Sequence, residues 1–164
     1  MDWKPDIVVD YQVVSEHFRS EYLPQYETAG AAGMDLRACI MEPLVIEPNG
    51  RVRVPTGIAL QLPNSSVVAL VYARSGLAWR HGISLPNGVG VIDSDYTGEV
   101  MVLLTNFSSQ AFTIHPGDRI AQVVFSLIYS AALSRMDMLQ PTHRGNNGFG
   151  STGTRSVLPD SGSL

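Results

Sequence analysis

Cysteine is almost missing from this chain. Cys39 is the single thiol in 164 residues, so no internal disulfide can form, and no Cys/His spacing matches a zinc site. A lone cysteine in this setting is expected as a small apolar core residue rather than a nucleophile. Charge is sparse as well: 16% of residues are Asp, Glu, Lys or Arg, and the net charge is -4. That balance offers no general basic surface, so no direct nucleic-acid binding is expected. An anionic ligand would have to be held by a few local cations, by backbone donors or by a metal. Long apolar runs are missing too. No segment approaches the roughly 20 residues that a membrane helix needs, and the opening MDWKPDIVVDYQ lacks the order of a signal peptide. A soluble, reducing, cytoplasmic setting is the expectation. Nor do His17, His81, His115 and His143 pair at metal spacing or fall into a Ser–His–Asp order.

What is present is a folded chain of single-domain size, 45% hydrophobic. Short runs rich in β-branched and apolar residues recur at Ile7–Val14, Leu44–Ile46, Arg51–Leu62, Val67–Tyr72, Val89–Ile92, Glu99–Leu104 and Ile120–Leu127. In Arg51-Val52-Arg53-Val54 polar and apolar residues alternate, the mark of a strand with one wet face. Ten prolines and fifteen glycines punctuate the rest and leave little room for long helices. The expected fold is all-β, a jelly-roll-like β-barrel with one short helix around Gly76–Arg80, where Ser75 would be the N-cap. Residues 1–140 should form the β domain. From Pro141 to Leu164 the composition turns to Gly, Ser, Thr, Asn and Pro, as in a flexible C-terminal arm.

Five segments carry the chemistry: AGAAGMDLRA (Ala29–Ala38), ARSGLA (Ala73–Ala78), NGVGVIDSDYTGEV (Asn87–Val100), GDRIAQV (Gly117–Val123) and RGNNGFGSTG (Arg144–Gly153). In order and separation they resemble the five motifs of the trimeric dUTPase family, from about Tyr26 to Gly153. The resemblance implies hydrolysis of dUTP to dUMP and pyrophosphate, which limits uracil in DNA and supplies dUMP for dTMP synthesis. It also implies a homotrimer whose chains share each site, and Mg²⁺ as cofactor.

Gly88–Val102 is expected to form a β-hairpin with a polar tip at Ser94–Gly98. A hairpin's main chain can donate to O4 of uracil and accept from its N3–H, a pattern that cytosine reverses. The resemblance assigns Asn87, Gly90 and Ile92 to the base. It makes Asp93 the general base that orients and deprotonates water, and packs the Tyr96 ring under the deoxyribose. Asp95 has no assigned role. Arg74, Ser75 and Gly76 open the helix, where free N–H groups, a hydroxyl and a cation suit phosphate oxygens; the resemblance puts all three on the triphosphate. Gln122 is assigned to the α-phosphate, and Asp35 to magnesium through water, because Mg²⁺ keeps several waters and takes direct ligands from phosphates. Arg119 is expected in a structural ion pair, with Asp118 or with a neighbouring subunit. In the arm, Phe149 should stack on uracil while Arg144, Ser151 and Thr152 reach the terminal phosphates. Two departures stand out: Ala73 where many members have proline, and Asn146-Asn147 in a loop that is usually richer in glycine. A dCTP deaminase-like enzyme of the same fold, and a nucleotide-switched regulatory binding protein, are the alternatives.

Overall fold

The computed structural model describes residues 5–148. Its elements, in chain order, are β1 (Asp10–Val13), a 3-10 turn (Ser20–Tyr22), β2 (Met34–Arg37), β3 (Leu44–Ile46), β4 (Arg51–Gln61), β5 (Val67–Tyr72), α1 (Ser75–His81), β6 (Ile83–Ser84), β7 (Gly90–Ile92), β8 (Glu99–Asn106), β9 (Phe112–Ile114) and β10 (Arg119–Leu127). They build two four-stranded sheets, ordered β1-β4-β8-β6 and β2-β10-β5-β7, and a two-stranded ribbon β3-β9. All described pairings are antiparallel. One core joins the three: Leu36, Ile46, Val54, Ile58, Val71, Val102, Leu104, Ile114 and Val123 are buried together. The fold is all-β and jelly-roll-like, with a single short α-helix among the described residues, as its sequence pattern implies.

Local sequence explains the longest strand. Along β4 the side chains of Arg51–Val54 run exposed, half-buried, exposed, buried, and then Thr56–Leu60 are buried without a break. The change of pattern falls at a bulge between Pro55 and Ala59. Gly57 sits there at φ +77°, and a Cβ on it would lie 2.7 Å from the Cys39 sulfur, so only glycine fits. The Glu99 carboxylate accepts the freed Gly57 N–H at 2.8 Å, and buried Thr56 donates to Val100 O at 2.7 Å. Cys39 itself is buried and free, a core residue as expected.

Three expectations need correction. The arms of the supposed hairpin do not pair with each other: β7 pairs with β5, and β8 pairs with β4 and β6. The polar turn between them carries the chain from one sheet to the other, so it is a crossing loop rather than a hairpin tip. The helix runs from Ser75 to His81 with Arg74 at its N-cap and no side-chain cap bond, so Ser75 is its first residue. Gly82, at φ +65°, closes the helix and donates to Ala78 O. Finally β2, β6 and β9 are strands in places where none was expected.

By compactness the chain divides into Met1–Ser130 and Ala131–Leu164. Among its described residues the second unit has no helix or strand. It does hold one ordered turn, in which Gly145 N donates to both Thr142 O and Thr142 Oγ1 at 3.1 Å. There Arg144 Nε donates to Asn147 O at 2.9 Å and Asn147 N returns to Arg144 O at 3.0 Å.

Candidate active site

The antiparallel register places Asp35 of β2 opposite Gln122 of β10, and Gln122 opposite Tyr72 at the end of β5. Two residues past Tyr72 the chain reaches Arg74. At this corner Arg74 Nε lies 3.0 Å from Asp35 Oδ1, and Arg119 Nη1 lies 3.3 Å from Asp35 Oδ2. The same Arg119 nitrogen is 3.2 Å from Glu27 Oε1, which stands 4.0 Å from Arg37 Nη2. Arg119 thus forms the ion pair expected of it, but with Asp35 and Glu27; Asp118 instead accepts the His115 N–H at 2.7 Å. Three guanidiniums face two carboxylates, leaving one positive charge over. The Asp35 side chain is only 13% exposed, so this pairing is screened less than a surface salt bridge.

Backbone acceptors aim the remaining groups. Arg74 Nη1 donates to Arg119 O at 3.0 Å, and Gln122 Nε2 donates to Ala73 O at 3.0 Å. An amide nitrogen carries two N–H groups, so Gln122 keeps one for a ligand. Gly33 allows the close approach: a Cβ there would sit 2.9 Å from Gln122 Oε1. Ser75 and Gly76 are exposed, and the Ser75 hydroxyl has no partner among the described residues. Beside Arg74 lies an open hollow of about 310 Å³ lined by Leu77, Phe112, Asp118, Arg119 and Ile120.

A second group of residues lies along β7, an edge strand of the same sheet. Because only β5 pairs with it, half of the backbone N–H and C=O groups of Gly90–Ile92 face no strand. Gly90 keeps β7 tight against β5, since a Cβ there would approach Val71 Cβ to 3.1 Å. Asn87 precedes the strand in a turn closed by Gly88 N donating to Leu85 O at 3.1 Å. Asp93 follows the strand, exposed, and its carboxylate has no partner among the described residues. Its carbonyl accepts the Tyr96 N–H at 3.1 Å, shaping the loop. Tyr96 donates its hydroxyl to Glu99 O at 3.0 Å while 47% exposed. Gly98 lies under that ring, where a Cβ would come within 2.6 Å of the hydroxyl.

Asp35, Arg74 and Gln122 therefore converge, and Asn87, Gly90, Ile92, Asp93 and Tyr96 follow one strand and its flanking turns. The two groups do not meet within one chain. From β2 to β7 are three strand spacings, about 14 Å, and Asp93 lies four residues along from the Asp35 row, about 13 Å more. Arg144 belongs to the second unit, and Phe149, Ser151 and Thr152 lie outside the described residues. Sequence reasoning missed Glu27 and Arg37. A half-exposed acid in a Gly- and Ala-rich stretch gives no local signal of a partner 92 positions away, the separation of Glu27 from Arg119.

Fold and site together define a small, jelly-roll-like all-β protein with a cationic cluster at one sheet corner and an open strand edge at another. The family model described as dUTPase matches residues 20–153. The chain is 53% identical over 131 residues to the deoxyuridine 5'-triphosphate nucleotidohydrolase of Desulfitobacterium hafniense (strain DSM 10664 / DCB-2), covering 80% of this chain and 87% of that protein. To the enzyme of the same name from Neisseria gonorrhoeae (strain NCCP11945) it is 44% identical over 149 residues, or 91% and 99% of the two chains. Among solved structures, the dUTPase from Streptococcus mutans superposes with a TM-score of 0.67 at 30% identity, over 74% of this chain and 98% of that one. The Staphylococcus bacteriophage 80alpha dUTPase with dUPNHPP has a TM-score of 0.79 at 23% identity, over 89% and 98%, a likeness of fold. The chain belongs to the dUTPase family.

Proposed function

We propose that the protein hydrolyses dUTP to dUMP and pyrophosphate at sites completed between chains of a homotrimer. One observation carries this reading: an open backbone edge at Gly90–Ile92 with Asn87 at one end and, at the other, the exposed Asp93 carboxylate, unpartnered among the described residues. A strand edge offers N–H and C=O groups in fixed alternation, which suits the O4 and N3–H of uracil and mismatches cytosine. Unpaired buried polar groups make that mismatch costly, roughly 10⁴-fold where the fit is close. Asn87 adds a side-chain amide at the base. Tyr96, fixed by its bond to Glu99 O, closes the sugar side so that a 2′-hydroxyl has no room.

Asp93 orients a water molecule and takes its proton as the oxygen attacks the α-phosphorus in line. One P–O bond forms, the bond from the α-phosphorus to the bridging oxygen breaks, and pyrophosphate leaves. A carboxylate is a weak base, but phosphoryl transfer rests mainly on positioning and on stabilising charge. Arg74, Ser75, Gly76 and Gln122 receive the phosphates, with Arg144, Ser151 and Thr152 of the arm at the terminal phosphates and Phe149 on the uracil face.

Asp35 suits magnesium only through water. Its Oδ2 already accepts from Arg119 Nη1 at 3.3 Å and its Oδ1 is ion-paired with Arg74 Nε at 3.0 Å, and no three His, Cys, Asp or Glu side chains converge among the described residues. Lone pairs remain on both oxygens for a metal-bound water. When bound to the phosphates, Mg²⁺ would offset charge on the leaving pyrophosphate. A mutant dUTPase of phage phi11 of S. aureus, 20% identical, coordinates a structural Mg(II) ion.

The separation of Asp93 from Asp35 supports sharing between chains. Leu127 and Tyr129 in the first unit and Leu133, Met138 and Leu139 in the second are exposed apolar side chains that self-association would cover. No described helix is long and apolar enough to cross a membrane, and the expected place of action is the cytoplasm. The reading is tested by assaying each common nucleoside triphosphate for pyrophosphate and ammonia. Pyrophosphate from dUTP alone, lost in Asp93→Asn, is expected; ammonia from dCTP would overturn it in favour of a deaminase.

A further inference from the structure

The chain contains three Asn-Gly pairs, Asn49-Gly50, Asn87-Gly88 and Asn147-Gly148. Asn-Gly is the sequence most prone to spontaneous deamidation, because glycine puts no side chain in the way of its own nitrogen. The reaction needs that nitrogen, with its proton removed, to attack the asparagine side-chain carbonyl. A glycine N–H already bonded in a tight turn resists both steps.

The three sites differ in this respect. Gly50 N donates to Glu47 O at 2.8 Å, and the space beside Gly50 is closed by the same carbonyl. Gly88 N donates to Leu85 O at 3.1 Å. Gly148 N has no partner among the described residues, nothing lies within 4 Å of a Cβ built on it, and Asn147 is exposed.

We infer that Asn147 is a self-modification site that disarms the C-terminal arm. Gly148 N forms a bond to Asn147 Cγ and ammonia leaves, giving a succinimide. Water then opens the ring at either carbonyl, so ammonia is lost, water is gained and no oxidant or enzyme is required. Opening at the Asn147 main-chain carbonyl gives isoaspartate, in which that carbonyl oxygen becomes part of a free carboxylate. Arg144 Nε already donates to this very oxygen at 2.9 Å. The product converts a neutral acceptor into an ionic partner for Arg144, and such charge-assisted bonds are about twice as strong as neutral ones. Arg144 is then held away from phosphate. This functional consequence rests on the role proposed above for Arg144; the ranking of the three sites does not.

The test ages the full-length protein at mildly alkaline pH, follows the three sites by peptide mapping with isoaspartate detection, and assays dUTP hydrolysis on the same samples. Asn147 is expected to convert at least about tenfold faster than Asn49 or Asn87, the factor that some 1.4 kcal/mol in barrier produces. The KM for dUTP should rise in step with conversion, and Asn147→Gln should abolish the rise. Equal or faster conversion at Asn49 or Asn87 would overturn the site. Conversion at Asn147 with an unchanged KM would overturn its effect on the arm. Fresh protein without dUTP hydrolysis would refute the function instead and leave the ranking of sites to stand on its own.

Discussion

Arg74 and Asp35 hold each other at 3.0 Å across the end of the β2-β10-β5-β7 sheet. The cation proposed for the phosphates is thus already bound to the acid proposed for the metal's water shell. Asp35 keeps Arg74 in one place before any nucleotide arrives, which spares the cost of ordering it on binding. Replacing Asp35 with Asn leaves Arg74 and Arg119 without their shared acid. Because the cluster is partly exposed, the expected loss is moderate, about 2 kcal/mol of unfolding free energy, read from the urea midpoint. A variant as stable as the parent would show that the pairing contributes nothing to the fold.

Asn106 should matter more to stability than any single charge. It is fully buried, and its side chain donates to Ile46 O and Gln110 O and accepts from Ser108 N and Ser108 Oγ. Asn106→Leu removes all four bonds, leaves buried Ile46 O without its donor, and should cost about 3 kcal/mol. Chemical denaturation checks this, with nucleotide turnover in the surviving folded fraction expected to change little.

Tyr96 and Gly98 offer a test of sugar selection. Adding one methyl at Gly98 forces the tyrosine ring to move, so Gly98→Ala should lower kcat/KM for dUTP about tenfold by misplacing the substrate. Tyr96→Ala instead opens space, and the ratio of dUTP to UTP turnover should fall by about tenfold or more. An unchanged ratio in Tyr96→Ala would remove Tyr96 from the sugar pocket.

Self-association should be measurable without substrate. Sedimentation equilibrium is expected to give the mass of three chains, and replacing Leu133, Met138 and Leu139 together with Ser should weaken that assembly and lower turnover with it. Full turnover by a chain shown to be monomeric would exclude a shared site.

Much of this was legible in the sequence. Leu44–Ile46 and Val67–Tyr72 are strands at the very residues where β-branched runs lie, and Arg51–Leu62 and Ile120–Leu127 miss by one residue at one end. Met34–Arg37 was not legible, because a Gly- and Ala-rich approach and an Asp resemble a turn. It becomes a strand by pairing with β10, a partner over 80 positions away. The hairpin expected at Gly88–Val102 failed for a related reason. Alternation and a polar tip mark two strands joined by a loop, but not whether the strands pair with each other or with opposite sheets. Among the proposed site residues, the resemblance of the motifs singled out Asp35, Arg74 and Gln122 one by one. Their contact, and the inclusion of Glu27 and Arg37, follow from register, which no local window contains.

Complementation is the most direct test that each site draws on more than one chain. Asp93→Asn and Arg74→Gln chains should each be nearly inactive alone. Co-expressed in equal amounts and assembled at random, they should give about three quarters mixed trimers, each with one site in three that combines an intact Asp93 from one chain with an intact Arg74 from another, or about a quarter of all sites. Recovery of dUTP hydrolysis toward a quarter of the parent rate is the expected result. Mixed trimers no more active than the two variants measured separately would contradict the account.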